Sequence, residues 1–432
     1  MSSALDLHLS DDQRELYARV RQLAVDVYAP LVGAGVGAGV GAGVGAGVGA
    51  VGGGSGGVNR PLVRALAEHG LLGRLFAADG VAAIELCLIR EALARGCTEA
   101  ETAFALQGLG AYPIVQAGTA ALRAQWIPRV AAGTAVAAFA LTEPEAGSDP
   151  AALTLRAEPD GDGGYRLSGE KLWISNAPEA DVYTVFARDA GLPGAGSAGA
   201  PGAGGLTAFA VPGDADGLSG APRRLLAPHA IGSLTFDGVA VAREQVLGEP
   251  GAGFRVAMRT LDLFRPSVGA FAIGMARAAL DLVTAHALTR RTFGKPLRDH
   301  QAVAHRLAEL HAQTEAARLL VHRAAAAHDA GRPDSSVAAM SKLLATEVAQ
   351  RAVDAAVQFH GALALEHGHP LEHLYREVRA PRIYEGASEI QREIIARAMF
   401  REAEAEAEAE AEAGAGAEVR ADAATGAGAG AA

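Results

Sequence analysis

From Phe254 to about residue 400 the sequence holds helical periodicity with short breaks, over Phe254–Arg290, Leu297–Asp329, Ser335–Phe359, Leu371–Val378 and a segment after Ser388. Long helices joined by so few residues must pack antiparallel, so residues 249–401 are expected to form a four-helix bundle. Helical spacing also runs through residues 1–134. It begins at Asp6–Ala29, with Ser10 as N-cap, Leu16, Val20, Leu23 and Val27 on one face and an end near Pro30, and resumes over Ala82–Ala94 and Ala120–Val130. Residues 135–248 change character. β-type runs at Tyr165–Leu167, Lys171–Ser175, Asp181–Ala187, Leu206–Val211 and Ser233–Val241, the last holding an Asp237-Gly238 turn, predict a middle β-barrel or sandwich domain. The expected fold class is α+β, mostly α, in three domains followed by a low-complexity tail over 402–432.

Residues 32–57 repeat Val-Gly-Ala-Gly, and residues 190–205 are rich in Gly, Ala, Pro and Ser. Such glycine density makes ordering entropically costly, so both are expected to be flexible insertions. Gly47–Gly52 has the spacing of a dinucleotide fingerprint, yet no strand precedes it and no helix follows, so that reading is set aside. From Glu402 the tail alternates Glu and Ala without an apolar face, and disorder or fraying is expected there. Its seven glutamates and Asp422, against Arg420 alone, carry most of the net charge of −11 and leave an ordinary surface elsewhere, with no patch or motif for nucleic acid. No apolar run reaches the length of a membrane span and no signal peptide opens the chain, so a cytoplasmic protein without a membrane partner is expected. Cys87 and Cys97 fit neither a disulfide framework nor a zinc pattern and read as small core residues.

The stretch Arg382-Ile383-Tyr384-Glu385-Gly386-Ala387-Ser388-Glu389-Ile390-Gln391-Arg392 carries the first candidate for chemistry. Ser388 and Gln391 have the spacing of a capping box, which places Glu385 in the turn ahead of a helix N-terminus. Gly386 lets a ligand approach the backbone, and partial burial beside Tyr384 would raise the carboxyl towards working pH, as a general base requires. A solvated glutamate in a loop is the plainer reading of this stretch alone. A second cluster, Phe139-Ala140-Leu141-Thr142-Glu143-Pro144-Glu145-Ala146-Gly147-Ser148-Asp149, gathers hydroxyl and backbone donors into a turn suited to a polar cofactor edge, or else ends a strand. In Leu172-Trp173-Ile174-Ser175-Asn176 one of two tryptophans stands beside a hydroxyl on a strand, where a plain core role is the alternative. Arg290 to Leu297, followed by His300 and Gln301, either reaches a phosphate or sets cations at a helix C-terminus. His367, His369 and His373 lie beside a Gly-Pro turn without acidic partners and read as loop, so no metal site is expected.

Together these motifs resemble those of the flavin-dependent acyl-CoA dehydrogenases, over roughly Asp6–Arg401. The resemblance implies FAD as cofactor and an acyl-CoA or related acyl thioester as substrate, desaturated between its α and β carbons. By that match Glu385 removes the α-proton, flavin N5 accepts the β-hydride, and the Glu385 backbone N–H helps a ribityl hydroxyl polarise the thioester carbonyl. Phe139, Leu141 and Thr142 belong to the motif that addresses the flavin pyrimidine ring. In Trp173-Ile174-Ser175 the indole stacks on the isoalloxazine and the hydroxyl bonds near N5. Ser148 contacts the coenzyme A portion and counts with the cofactor set, as do Gly386, Ser388 and Glu389. Asp262 and Arg265, with Glu385 and Gly386, face the thioester ligand. Arg290, Phe293, Gln301, Gln358, Gly361 and Ala362 correspond to positions that reach the FAD of a neighbouring subunit. A shared cofactor implies a homodimer or homotetramer, and an electron-transfer flavoprotein would reoxidise the flavin.

One branch of the family takes its catalytic glutamate from the position before Arg265, which here is Phe264. Gln358-Phe359-His360-Gly361-Ala362-Leu363-Ala364 departs from the family's Q-x-x-G-G-x-G: Ala362 and Ala364 add methyl groups where the backbone would approach a diphosphate, which predicts weaker FAD retention. Ala387 stands where Thr is common, and the abbreviated Phe76–Gly80 loop leaves acyl size open. An oxidase, or a dehydrogenase of carrier-bound acyl groups, would share every motif. A non-catalytic flavoprotein subunit is the alternative of a different class.

Overall fold

The computed structural model describes residues 9–32, 57–77, 80–192, 205–227 and 229–427, with side chains described to residue 408 and at 410. The Val-Gly-Ala-Gly stretch, the Gly47–Gly52 run and most of the 190–205 loop lie outside these residues. Seven helices come first: α1 (Asp11–Leu23), α2 (Ala29–Val32), α3 (Arg60–Glu68), α4 (Leu71–Arg74), α5 (Ala83–Gly96), α6 (Thr98–Ala117) and α7 (Ala120–Ala131). Ser10 caps α1 as expected, accepting from the Gln13 N–H at 3.2 Å, while the Gln13 side chain accepts from the Ser10 N–H at 3.0 Å. The helical run reaches Val32, two residues past Pro30 and the last described residue of this segment. A π-type turn over Ala24–Tyr28 takes up the break in the hydrogen-bond ladder that the proline forces, and helical turns continue to Val32.

Eight strands follow, forming one mixed sheet: β1 (Ala137–Ala140), β2 (Arg156–Pro159), β3 (Tyr165–Ser175), β4 (Val182–Asp189), β5 (Leu206–Pro212), β6 (Leu218–Pro222), β7 (Ile231–Val241) and β8 (Val246–Leu247). Their order is β6-β7-β3-β2-β4-β5-β8, with β1 parallel to β4. The two runs expected at Tyr165–Leu167 and Lys171–Ser175 are a single strand, paired antiparallel with β7 and shifted in register after Leu167 and again after Lys171. Asp237-Gly238 is not a strand-ending turn. Gly238 takes φ +64° inside β7, opposite the first of those shifts, and the pair forms a bulge that β-pairing resumes beyond.

The C-terminal part comprises α8 (Gly253–Thr289), the short hairpin β9 (Arg291–Thr292) and β10 (Lys295–Pro296), then α9 (Gln301–Asp329), α10 (Ser335–His360), α11 (Pro370–Glu377) and α12 (Ser388–Ala427). α8 lies at the centre against α5, α9 and α10. By length and composition it could cross a membrane, but it is the core helix here, with 72% of its most apolar window buried inside the protein. A single hydrophobic cluster takes residues from α1, α3, α5 and α6 together with α8, α9 and α10, so the N- and C-terminal helical parts share one core. Inside it the Glu91 carboxylate of α5 pairs with Arg318 of α9 at 2.8 Å and with Arg277 of α8. A second cluster fills the sheet interior, and a third seats the sheet on α6, α7 and the start of α8.

Two expectations at the C-terminus are corrected. The tail is not frayed in this structure: α12 runs on through the Glu-Ala repeat to Ala427. Both residues are strong helix formers, and α12 is already nucleated and packed against α10, so extending it carries no new nucleation cost. Nor do Ser388 and Gln391 form a capping box. The Ser388 hydroxyl donates to Glu347 Oε1 of α10 at 3.1 Å, and the Gln391 amide donates to the Gly386 carbonyl at 2.9 Å, so a tertiary partner for the serine and a carbonyl of the preceding turn for the glutamine replace the capping box.

Candidate active site

Glu385 and Gly386 form the reversal between a 3₁₀ turn at Ala380–Arg382 and α12, and both are left-handed, with φ +50° and +91°. Gly386 has to be glycine for that angle, and also because a Cβ there would collide with the Gln391 amide. The Gly386 carbonyl accepts from the Lys342 ammonium of α10 at 2.6 Å as well as from Gln391. This clamp aims the carboxylate of Glu385, whose Oε2 is sealed from solvent with no hydrogen-bond partner among the described residues. Burial pushes the Glu385 carboxyl above its ordinary range, against the opposing pull of Arg90, Lys342 and Arg265. The geometry suits a proton acceptor.

Arg265 is buried on α8, bonded through Nη1 to Asp262 at 2.8 Å, and its Nε also has no partner among the described residues. Two unpaired buried groups of opposite polarity, a carboxylate oxygen and a guanidinium N–H, are costly unless a ligand engages them. Behind Glu385, Arg90 of α5 is paired with Glu101 of α6 and donates to the Ser267 hydroxyl at 2.6 Å. Burial raises the Glu101 carboxyl to about 7 against the pull of Arg90.

On the sheet side, Leu141 and Thr142 sit in a loop held by a sealed ion pair. The Lys171 ammonium reaches Glu143 at 2.8 Å and the Leu141 carbonyl at 2.9 Å. Glu143 further accepts from the Thr154 N–H and hydroxyl and the Leu155 N–H, at 2.7, 2.8 and 3.0 Å. Burial alone would raise the Glu143 carboxyl, but Lys171 and these N–H groups outweigh it and hold the group below its ordinary range. The Leu172 N–H donates to the Thr142 carbonyl at 3.0 Å, tying the loop to β3 beside Trp173. Trp173 is not core: at φ +60° in the bulge it leaves 49% of its surface exposed, and the hydroxyls of Thr142, on the loop tied to this strand, and of Ser175, two residues along it, have no protein partner among the described residues. An exposed aromatic with unpaired hydroxyls on the same strand and its tied loop fits a flavin ring.

The other expected residues lie on the sheet, on its flanking loop, on α12 and at one end of the bundle. Ile174 points into the sheet interior, because the register shift after Lys171 turns Trp173 outward, so only its backbone is available to a cofactor. Phe139 is half-buried against Phe186, with ring centroids 4.9 Å apart. Ser148 is exposed, and Glu389 is exposed and bonded to Arg392 at 3.3 Å. Arg290, Phe293, Gln301, Gln358, Gly361 and Ala362 gather at one end of the bundle, where His286 of α8 stacks on His360 of α10 at 4.1 Å. Phe293, at the tip of the β9–β10 hairpin, is 97% exposed. Ala364 is buried in the helical core, so its methyl does not face a phosphate; Ala362 is exposed. His360 and His369 make a T-shaped contact at 5.5 Å, and no group of three metal-ligating side chains is found among the described residues.

Sequence reasoning missed Lys342, Arg90, Glu101 and the Lys171–Glu143 pair. A signal was present. Of the 38 basic residues only Lys171, Lys295 and Lys342 are lysines, and Lys342 stands on a helix face otherwise made of Ala338, Ala345 and Ala349. A chain that uses arginine almost everywhere keeps lysine where a compact single-point donor is needed.

Comparison with known proteins agrees with this geometry. The cyclohexane-1-carbonyl-CoA dehydrogenase of Geobacter metallireducens is 36% identical over 323 residues, 74% of this chain and 82% of that protein. Among solved structures, butyryl-CoA dehydrogenase from Megasphaera elsdenii superposes with a TM-score of 0.80 at 30% identity, covering 92% of this chain and 100% of that one. A glutaryl-CoA dehydrogenase from Mycobacterium smegmatis in complex with FADH2 gives a TM-score of 0.80 at 25% identity, covering 92% and 96%. Family models described as the N-terminal, middle and C-terminal domains of acyl-CoA dehydrogenase match residues 54–134, 138–239 and 251–400 in turn. Matched in order along all three structural parts, the chain belongs to the acyl-CoA dehydrogenase family.

Proposed function

We propose that this oxidoreductase desaturates the acyl group of a coenzyme A thioester, with Glu385 as the base that takes the α-proton. The observation that carries the assignment is the sealed, unpartnered Oε2 of Glu385 on a clamped left-handed turn, with the unpaired Nε of Arg265 in the same buried charge cluster. FAD is the cofactor, and when bound it supplies the acceptor for the β-hydrogen with its electron pair. Leu141, Thr142, Trp173 and Ser175 would hold its ring, since they offer the open indole and the unpaired hydroxyls. Arg265 would orient the thioester. The Glu385 N–H makes no hydrogen bond among the described residues and is free to polarise the thioester carbonyl, which acidifies the α-carbon.

Glu385 accepts a proton only when ionised. Because its folded-state carboxyl titrates above the ordinary range, turnover should rise with pH along a limb displaced upward from that of an ordinary glutamate. Glu385→Gln keeps the side-chain shape and removes the acceptor. It should abolish turnover of a thioester panel while leaving bound flavin unchanged by absorbance; activity above a few per cent of wild type rejects the assignment. A homo-oligomer sharing its cofactor sites is supported by Phe293, Leu363 and Leu365, apolar and exposed at the same end of the bundle as Arg290, Gln358 and Gly361. Reoxidation by an electron-transfer flavoprotein belongs to the same reading.

A further inference from the structure

We infer that Lys342 is a positioning residue for proton abstraction: its ammonium pins the Gly386 carbonyl, and so the left-handed Glu385–Gly386 pair, and its positive charge, beside those of Arg90 and Arg265, has no carboxylate partner of its own. The inference rests on the reading of Glu385 as the base.

Around the carboxylate turn, Arg90 of α5 is committed to Glu101 of α6, and Arg265 of α8 to Asp262. Arg382 is committed to Glu347 of α10, and Arg392 to Glu389 and Glu347. Tyr384 beside the base is neutral, its hydroxyl pushed far up by burial. Each of these guanidiniums already has its own carboxylate. Glu377 of α11, which faces Tyr384 and Glu101, is pushed far up by burial and is neutral, so Lys342 and Glu385 are the cation and anion of this group without an ion pair among the described residues.

A carbonyl does not need an ammonium. Gln391 already donates to the Gly386 oxygen at 2.9 Å, and a neutral donor satisfies a carbonyl without the desolvation cost of a buried charge. Lys342 nonetheless lies fully buried on α10 with its nitrogen 2.6 Å from that oxygen. Burial draws its ammonium down to about 8, so below that pH it keeps its proton, while the Glu385 carboxyl is raised above its ordinary range. The cation, together with Arg90 and Arg265, therefore opposes the burial that raises the Glu385 carboxyl. It reaches the carboxylate through the backbone turn, not by contact, which leaves Oε2 open for the substrate.

The test reads the titration of Glu385 directly. Infrared difference spectra of the resting holoenzyme are recorded against pH, and the Glu385 carboxyl band is assigned as the one missing in Glu385→Gln. Lys342→Met should move the midpoint up by about one pH unit or more, the size expected for losing a nearby opposite charge, and carry the acid limb of kcat with it. Lys342→Gln should do the same and serves if the methionine variant fails to accumulate. Gln391→Leu removes the other donor to the same carbonyl and should leave the midpoint in place. A midpoint unmoved in both Lys342 variants, or moved equally by Gln391→Leu, overturns the inference. Failure of the base assignment looks different: Glu385→Gln would then turn over substrate whatever the titration shows.

Discussion

Lys171 under the Leu141–Thr142 loop and Lys342 under the carboxylate turn are both sealed from water, and burial draws both ammonium groups down to about 8. Their surroundings differ. Lys171 touches a carboxylate that three other donors also satisfy, so the charges neutralise each other and the Leu141–Thr142 loop is locked in place. Lys342 touches only a carbonyl, and the carboxylate it complements lies a residue away with an open oxygen. A cation in contact with its anion fixes a loop. A cation held off its anion leaves that anion reactive while keeping it charged.

The contrast can be broken by stability measurements. Lys171→Met leaves the Glu143 carboxylate buried without its cation, and should cost about 3–5 kcal/mol in denaturant unfolding. Lys342→Met orphans no carboxylate in contact and leaves the Gly386 carbonyl bonded by Gln391, so its cost near neutral pH should stay within about 1 kcal/mol. Equal losses would mean that the two lysines serve the same purpose. The pH dependence sharpens the point. Lys342 binds its proton less tightly folded, at about 8, than at its ordinary 10.5, so between those values the unfolded chain binds more protons and stability rises with pH. Lys342→Met should remove up to about 1.4 kcal/mol per pH unit from that slope. The smallest effect belongs to a region that touches neither site. Truncation after Arg401 removes helix whose described side chains are exposed, so far-UV ellipticity should fall while unfolding free energy stays within about 0.5 kcal/mol.

Periodicity found two of the long helices almost to the residue, Phe254–Arg290 expected against Gly253–Thr289 observed and Ser335–Phe359 against Ser335–His360, but it missed Thr98–Ala117, which runs through Gly110 without a break. The turn bearing Glu385 was readable for the same local reasons. What stayed hidden depended on distant partners. Ala137–Ala140 has no β-branched residue to mark it as a strand, yet it pairs with β4. Ser388 has the spacing of a cap but spends its hydroxyl on Glu347, 41 residues away. Ile174 was expected beside the cofactor because it lies inside the Trp173-Ile174-Ser175 run that resembles the family motif, and the bulge after Lys171 turns its side chain into the sheet interior. The charge cluster behind Glu385 joins α5, α6, α8 and α10, and no window of sequence contains it.

The shared helical core has a consequence during synthesis. Glu91 is buried against Arg318, 227 residues later in the chain. At about 5–20 residues per second the carboxylate waits roughly 10–45 s for that counter-ion, with the apolar faces of α1, α5 and α6 exposed meanwhile. The sheet, whose strands run from Ala137 to Leu247, emerges complete within that interval and can form first. The helices made earliest are thus among the last to close, and protease resistance of chains stalled before and after α9 would time the event. Until α9 arrives, the N-terminal quarter of this enzyme is a client for whatever shields apolar surface at the ribosome.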